Sequence, residues 1–316
     1  MTEAQRIIGE ELVEKQGWAK RALARYLVEK YPSVFPEVDS TRDKIRYQMG
    51  TRGHQFRMQR FNFSIPKSVG DKWAFRQLPK EWKRTLVLAD PHCPQHDIEA
   101  LEIAIKTAKE RKVDSVYWNG DVCDMYMLSR FIQNPGMPSM ERELSCVRQL
   151  FRYTSQKLDV KNWWKCANHE RRLAHYIWAK APALNDSVAL ADLLDMDDEV
   201  KVIVDDNLMK YGKLTLIHGD ELGKGFSTLV SPARSIFLKM GIHVMGAHYH
   251  KSSFFSYKRG DDDGVSTWTT GCLQILHPEY ARINQWNHGF AILEKDASGN
   301  FSVENYRIEK GKAFLT

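Results

Sequence analysis

Five short clusters of Asp, Asn and His each follow an apolar, β-prone run, and this pattern constrains the fold more than any other feature of the chain. Asp90-Pro91-His92 follows residues 85–89, Gly120-Asp121-Val122-Cys123-Asp124 follows 113–118, and Asn168-His169-Glu170 follows 162–166. His218-Gly219-Asp220 follows 213–217, and His248-Tyr249-His250 follows 242–245. Between these runs lie stretches 98–109, 140–158, 174–194 and 232–240, whose apolar residues recur at helical spacing. The 31 residues from Asp90 to Asp121 fit one strand–helix–strand crossover. An alternation of this kind predicts an α/β fold with parallel strands, and such sheets gather ligands at the carboxyl ends of their strands. Segments 253–257, 265–270, 289–293 and 301–306 predict antiparallel strands that complete a second sheet. A further strand is expected at 200–204.

The first 84 residues read differently. Residues 3–15, 20–31 and 41–49 predict three short helices, the last capped by Ser40 or Thr41 and ended at Gly50. With Arg42, Lys44 and Arg46 on the third, they resemble a helix-turn-helix module in outline, and they fit a helical packing extension equally well. Residues 51–84 predict a basic, aromatic-rich connector, leaving 85–316 as the domain that carries all five clusters. Residues 1–84 hold 18 Lys and Arg against 10 Asp and Glu, whereas 85–316 hold 28 against 30, so the overall charge of +6 belongs to the N-terminal region. Arg52, Arg57 and Arg60, interleaved with Phe56, Phe61 and Phe63, suit contact with the phosphates and bases of a nucleic acid. The same rings could instead pack the connector onto the core.

Residues two apart on extended backbone point the same way, so Asp90 with His92, and His248 with His250, can each offer two groups to one cavity. Taken in order, the clusters resemble the calcineurin-like metallophosphoesterases, whose pattern runs D-x-H, G-D-x-x-D, G-N-H-D/E, an isolated His and G-H-x-H. Residues 85–296 carry the likeness, and the wording around Gly271-Cys272-Leu273 and His277-Pro278-Glu279-Tyr280 is most similar to phage and bacterial members. Ala167 and Ala247 stand where the pattern has Gly, and neither position is a ligand. The resemblance implies a four-layer α/β/β/α sandwich behind a small N-terminal helical domain. It also implies two divalent metal ions, one on Asp90, His92, Asp121 and His250, the other on Asp121, Asn168, His218 and His248. Mixed imidazole, carboxylate and amide ligands suit Mn²⁺ first, with Fe, Zn²⁺, Co²⁺ or Ni²⁺ as alternatives.

By the same resemblance, a hydroxide bridging the metals attacks the phosphorus. His169 serves as general acid or hydrogen-bond donor to the leaving group, oriented by Asp124. Arg171 and Arg172 follow directly and could meet the substrate phosphate or simply begin a solvated helix. Protein phosphatases of the family carry Arg after the second Asp of G-D-x-x-D. Met125 stands there instead, which favours a diester. The expected activity is therefore a phosphodiesterase acting on DNA or RNA. A phosphomonoesterase or small-nucleotide phosphohydrolase, and a nucleic-acid-binding protein with an idle metal site, are the alternatives.

Five cysteines without metal-finger spacing argue against a disulfide framework. Cys93, Cys123 and Cys166 read as packing residues at strand ends, and His96 as a residue near the first cluster. No apolar run approaches the ~18 residues of a membrane span, and residues 1–12 are too polar for a secretory signal, so a cytoplasmic location is expected.

Overall fold

The computed structural model describes residues 1–49, 65, 74–196, 200–203, 207–223, 230–261 and 263–316. The chain forms two compact units, Met1–Lys72 and Trp73–Thr316. In the first, α1 (Glu3–Glu14), α2 (Lys20–Lys30) and α3 (Val38–Gln48) bury Ile7, Ile8, Leu12, Leu23, Leu27, Phe35 and Ile45 together. Thr2 and Gln5 form a reciprocal capping box that starts α1. Buried Glu11 accepts from Lys30 Nζ at 2.8 Å and from the Tyr31 hydroxyl at 3.0 Å, tying α1 to α2.

Helix α3 begins earlier than its sequence suggests. Ser40 and Thr41 lie inside it and donate to the Glu37 carbonyl, so neither acts as its cap. Two of its basic side chains pair with acids on the same helix, Arg42 with Asp39 at 3.4 Å and Arg46 with Asp43 at 3.3 Å. Most of the expected connector, including Arg52, Arg57 and Arg60, lies outside the described residues. Its last part belongs to the second unit, where β1 (Phe75–Gln77) pairs in parallel with β6 (Leu208–Tyr211).

The second unit is mixed α/β with two sheets. Its first strands, β2 (Arg84–Leu88), β3 (Ser115–Trp118), β4 (Lys161–Lys165) and β5 (Val200–Ile203), run parallel and side by side. They continue through β11 (His288–Lys295), β12 (Phe301–Glu309) and β13 (Lys312–Leu315), all antiparallel, to make a seven-stranded sheet. The other sheet has six strands: β1, β6, β7 (Leu214–Leu216), β8 (Val244–Gly246), β10 (Val265–Thr269) and β9 (Ser253–Tyr257), in that order.

This arrangement corrects the expectation that all four C-terminal segments would complete the second sheet. β9 and β10 do so, but β11 and β12 extend the first sheet beside β2. Phe290, Ala291, Ile292 and Leu293 are all buried, as a strand covered on both faces requires. The stretch 174–194, expected as one helix, is divided into α6 (Arg171–Lys180), a 3₁₀ turn opened by Pro182, and α7 (Leu190–Leu194). Proline removes a backbone donor and breaks the ladder there.

Two apolar interfaces hold the sheets. α4 (Ile98–Glu110) and α5 (Met140–Leu158) place Ala100, Leu101, Ala104, Leu144, Val147 and Phe151 with Leu86, Val116, Trp118 and Trp164 of the first sheet. Asp97 caps α4 by accepting from the Ala100 amide at 2.8 Å, and Ser139 caps α5. The alternate residues Val87, Tyr117, Ala291 and Leu293 pack with Met209, Tyr211, Leu216 and Met245 of the second sheet. On that sheet α8 (Pro232–Met240) buries Ile236 with Ile217, Leu222 and Val244. Among the described residues, no helix is long and apolar enough to cross a membrane.

Candidate metal centre

Each Asp, Asn and His cluster sits just past a strand. Asp90 and His92 follow β2, Asp121 follows β3, Asn168 and His169 follow β4, His218 follows β7, and His248 and His250 follow β8. β2, β3 and β4 are parallel neighbours in one sheet, and β7 and β8 are parallel neighbours in the other, so five carboxyl ends deliver to one place. The backbone bends sharply to do this. Asp90, His92, Asp121, His248 and His250 all have φ between 46° and 67°. Such left-handed conformations cost about 1 kcal/mol or more for residues with a Cβ, and they concentrate at functional sites. Gly120, at φ 92°, leads into Asp121 where a Cβ would lie 2.4 Å from His218 Nδ1.

Six of the seven expected ligands, Asp90, His92, Asp121, His218, His248 and His250, fall into close sets. Asp90, His92 and His250 form one set, and Asp121, His218 and His248 another, with the ligating atoms of each set within 4.8 Å of one another. A third set, His92, Asp121 and His169, overlaps both. Asp90 Oδ1 lies 3.5 Å from His250 Nε2 and 3.7 Å from His218 Nε2, and Asp121 Oδ2 lies 3.1 Å from His218 Nε2. His92 Nε2 and His250 Nε2 face each other at 3.3 Å. Two nitrogens ligating one tetrahedral ion at ~2.0–2.1 Å stand about 3.3–3.4 Å apart, so this pair is spaced for a shared cation.

Hydrogen bonding among the described residues agrees with that. Asp90 Oδ1 and Asn168 Oδ1 are buried without a hydrogen-bond partner, whereas buried polar atoms are ordinarily paired. His218 Nδ1 donates to the Asn119 carbonyl at 2.7 Å, which turns Nε2 toward the carboxylates, where a cation would take the place of a proton. The Gln274 amide lies 3.0 Å from His250 Nδ1, and an ion on Nε2 requires the amide oxygen on that side.

Charge accumulates in the same pocket. Burial raises the Asp121 carboxyl, but His218 and His169 outweigh it and hold the group well below its usual range; His250 and His218 lower Asp90 in the same way. Burial pulls His218 down, yet Asp121 and Asp90 hold it well above an ordinary imidazole. His248 falls to about 4 through burial and the neighbouring His218, and so offers the neutral ring that ligates metal. These groups fit divalent cations by donor type, spacing and charge.

His169 stands beside the ligands. Its backbone N–H donates to Asp121 Oδ1 at 3.0 Å, and its Nδ1 lies 2.9 Å from Asp124 Oδ1. Burial lowers the ring, but Asp121 and the Asp124 hydrogen bond raise it more. Arg172 donates to the Asp124 carbonyl at 2.8 Å, and its Nη2 is 3.1 Å from His169 Nε2. A guanidinium only donates, so this contact belongs to the neutral ring, and an imidazolium requires Arg172 to move away. Arg171 is turned elsewhere, with both terminal nitrogens on Asp220 Oδ2 at 3.1 and 3.0 Å. Arg52, Arg57 and Arg60 lie outside the described residues.

Three functional positions are not evident in the sequence. Glu170 accepts from the backbone N–H groups of Asp121, Cys123 and Ala167 at 3.1, 2.9 and 2.8 Å, drawing the loops after β3 and β4 together. Its place in the third cluster is the one available signal. Gln274 and Asn119 orient His250 and His218, and neither stands in a recurrent motif.

Compared with models of known protein families the chain gives no match, and compared with curated proteins by sequence it gives none either. Among solved structures it is similar to Vps29 of Entamoeba histolytica, at 12% identity and TM-score 0.38, over 74% of this chain and 97% of that one. YfcE, a phosphoesterase of E. coli, aligns at 12% identity and TM-score 0.33, over 67% and 89%. A purple acid phosphatase from yellow lupin seeds aligns at 12% identity and TM-score 0.39, over 75% and 54%. At such scores these likenesses carry no weight for activity, which rests on the residues themselves.

Proposed function

We propose that this chain is a metal-dependent phosphoesterase that hydrolyses a phosphodiester, with DNA or RNA as the substrate class. The observation that carries this reading is the convergence of Asp90, His92, Asp121, His218, His248 and His250, with Asp90 Oδ1 and Asn168 Oδ1 buried and unpartnered. Asp90, His92, Asp121 and His250 would hold one ion and Asp121, Asn168, His218 and His248 a second, in a four-layer α/β/β/α arrangement. Bound divalent ions, Mn²⁺ first among those the donors suit, would activate water and neutralise charge on the phosphate. His169 donates a proton or hydrogen bond to the leaving oxygen, and Asp124 fixes the ring through Nδ1. Asp124 also reaches His92 Nδ1 at 3.4 Å and accepts from Gln95 Nε2 at 3.1 Å, so one carboxylate orients the donor and a ligand together.

Aromatic rings near His250 support a nucleic-acid substrate. Trp286 lies against His250 with ring centroids 4.3 Å apart, and exposed Tyr280 lies 6.2 Å from Trp286. Such rings can stack bases. By charge alone, Arg52, Arg57 and Arg60 are proposed to contact nucleic-acid phosphates. A second reading, a phosphomonoesterase, draws on Arg172. Met125 is 1% exposed and offers no charge, but the Arg172 guanidinium reaches the Asp124 carbonyl and could grip a terminal phosphate. Metal-loaded protein assayed on bis-aryl and mono-aryl phosphates, and on single- and double-stranded DNA and RNA, tests both. Faster bis-aryl turnover with nucleic-acid cleavage is expected. Activity confined to the monoester would replace the first reading by the second.

A further inference from the structure

Cys93, His96 and Cys146 make a second convergence that the proposed reaction does not use. A sulfur from each Cys and a ring nitrogen of His96 lie within 4.8 Å of one another, and Cys146 Sγ is 3.7 Å from His96 Nδ1. In a tetrahedral thiolate–imidazole site, with metal–sulfur ~2.3 Å and metal–nitrogen ~2.0–2.1 Å, sulfur and nitrogen stand about 3.5–3.6 Å apart. The observed pair therefore needs to shift by only about a tenth of an ångström.

The three donors come from different parts of the fold. Cys93 is fully buried in the loop after β2, where its N–H donates to the Val122 carbonyl at 2.8 Å and its carbonyl accepts from Asp124 at 3.2 Å. His96 lies just before α4 and bridges to Gln274. Cys146 projects from α5. His96 and Cys146 also line a cavity of about 260 Å³ with Leu101, Glu102, Leu150 and Tyr153. That cavity supplies an entry path and room for a fourth ligand.

We propose that Cys93, His96 and Cys146 bind a thiophilic divalent cation of the zinc class, with its fourth position open to the cavity. Two sulfurs and one imidazole select such an ion over Mn²⁺ or Mg²⁺. It would fasten the loop carrying His92 to α5. The proposal does not depend on the phosphoesterase reading.

Cobalt(II) titrated without oxygen into the full-length protein, kept reduced by a phosphine, provides the test. Thiolate-to-cobalt charge transfer in the near ultraviolet reports this site, because the Asp, Asn and His centre contains no sulfur ligand. One equivalent of cobalt should give that band, and zinc should bleach it. Cys146→Ser and His96→Ala, at half-exposed positions, should each abolish it, while Asp121→Asn should keep it. Absence of the band in the reduced wild type, or its survival in either Cys146→Ser or His96→Ala, would overturn the assignment.

Discussion

Asp124 and Arg172 hold His169 from two sides, Asp124 on Nδ1 and Arg172 on Nε2. A group that protonates a departing oxygen acts in the transition state more than in binding. His169→Ala should therefore retain its metals and lose roughly 10²–10⁴-fold in turnover. The loss should shrink for nitrophenolate, which needs little protonation; equal losses for good and poor leaving groups would deny His169 that role. Glu143 is a separate matter of stability. Buried against the Met125 amide, its carboxyl is pushed up to about 8 by burial, against the backbone hydrogen bond and with help from Asp124. A carboxyl with a higher pKa folded than unfolded stabilises the fold where it stays protonated in both states, below its ordinary value. That contribution is lost as pH rises through about 8. Unfolding free energies from urea titrations at roughly pH 5 to 9 should fall by up to a few kcal/mol more in wild type than in Glu143→Gln. Parallel profiles would show that Glu143 does not titrate there.

At the level of elements, the centre depends on loops that leave their strands through left-handed backbone and are then tied by Glu170. Removing that carboxylate leaves three backbone donors unsatisfied, at about 1–3 kcal/mol each where they stay buried. Glu170→Ala should cost about 3 kcal/mol or more and lower metal content together with stability, whereas Glu170→Gln, keeping one acceptor oxygen, should fall between. Metal content unchanged in a destabilised Glu170→Ala would separate the carboxylate from loop placement. The strand–helix alternation that carries these loops is legible because its apolar periods are long, and α5 and α8 match their expected spans. The six Asp and His positions that converge are legible because parallel strands must end near one another. Strand partners are not. The periodicity of β11 shows burial on both faces, but nothing in it distinguishes β2 from β8 as the neighbour. β6, only Leu208–Tyr211, escapes notice because a four-residue strand turning at Gly212 carries too short a pattern. The oxygen and nitrogen contacts of Gln274, Asn119 and Glu170 depend on loop geometry fixed only by the whole fold.

Across the whole molecule, charge is divided between regions: a net excess of positive side chains in residues 1–84 and a slight negative excess in 85–316. If the N-terminal cations meet phosphates, replacing Arg52, Arg57 and Arg60 together by Gln should flatten the dependence of log affinity on log salt by ~0.7–0.9 for each phosphate no longer neutralised. Hydrolysis of a small bis-aryl phosphate should be unchanged. An unaltered salt slope would remove these residues from the nucleic-acid surface. The central claim is that Asp121 joins two halves of one metal centre, which metal analysis of wild type and Asp121→Asn, paired with bis-aryl phosphate hydrolysis after manganese loading, tests most directly. The account predicts about two ions per chain in wild type, fewer in the variant, and a loss of nearly all hydrolysis. Full metal content and full activity in Asp121→Asn would contradict it.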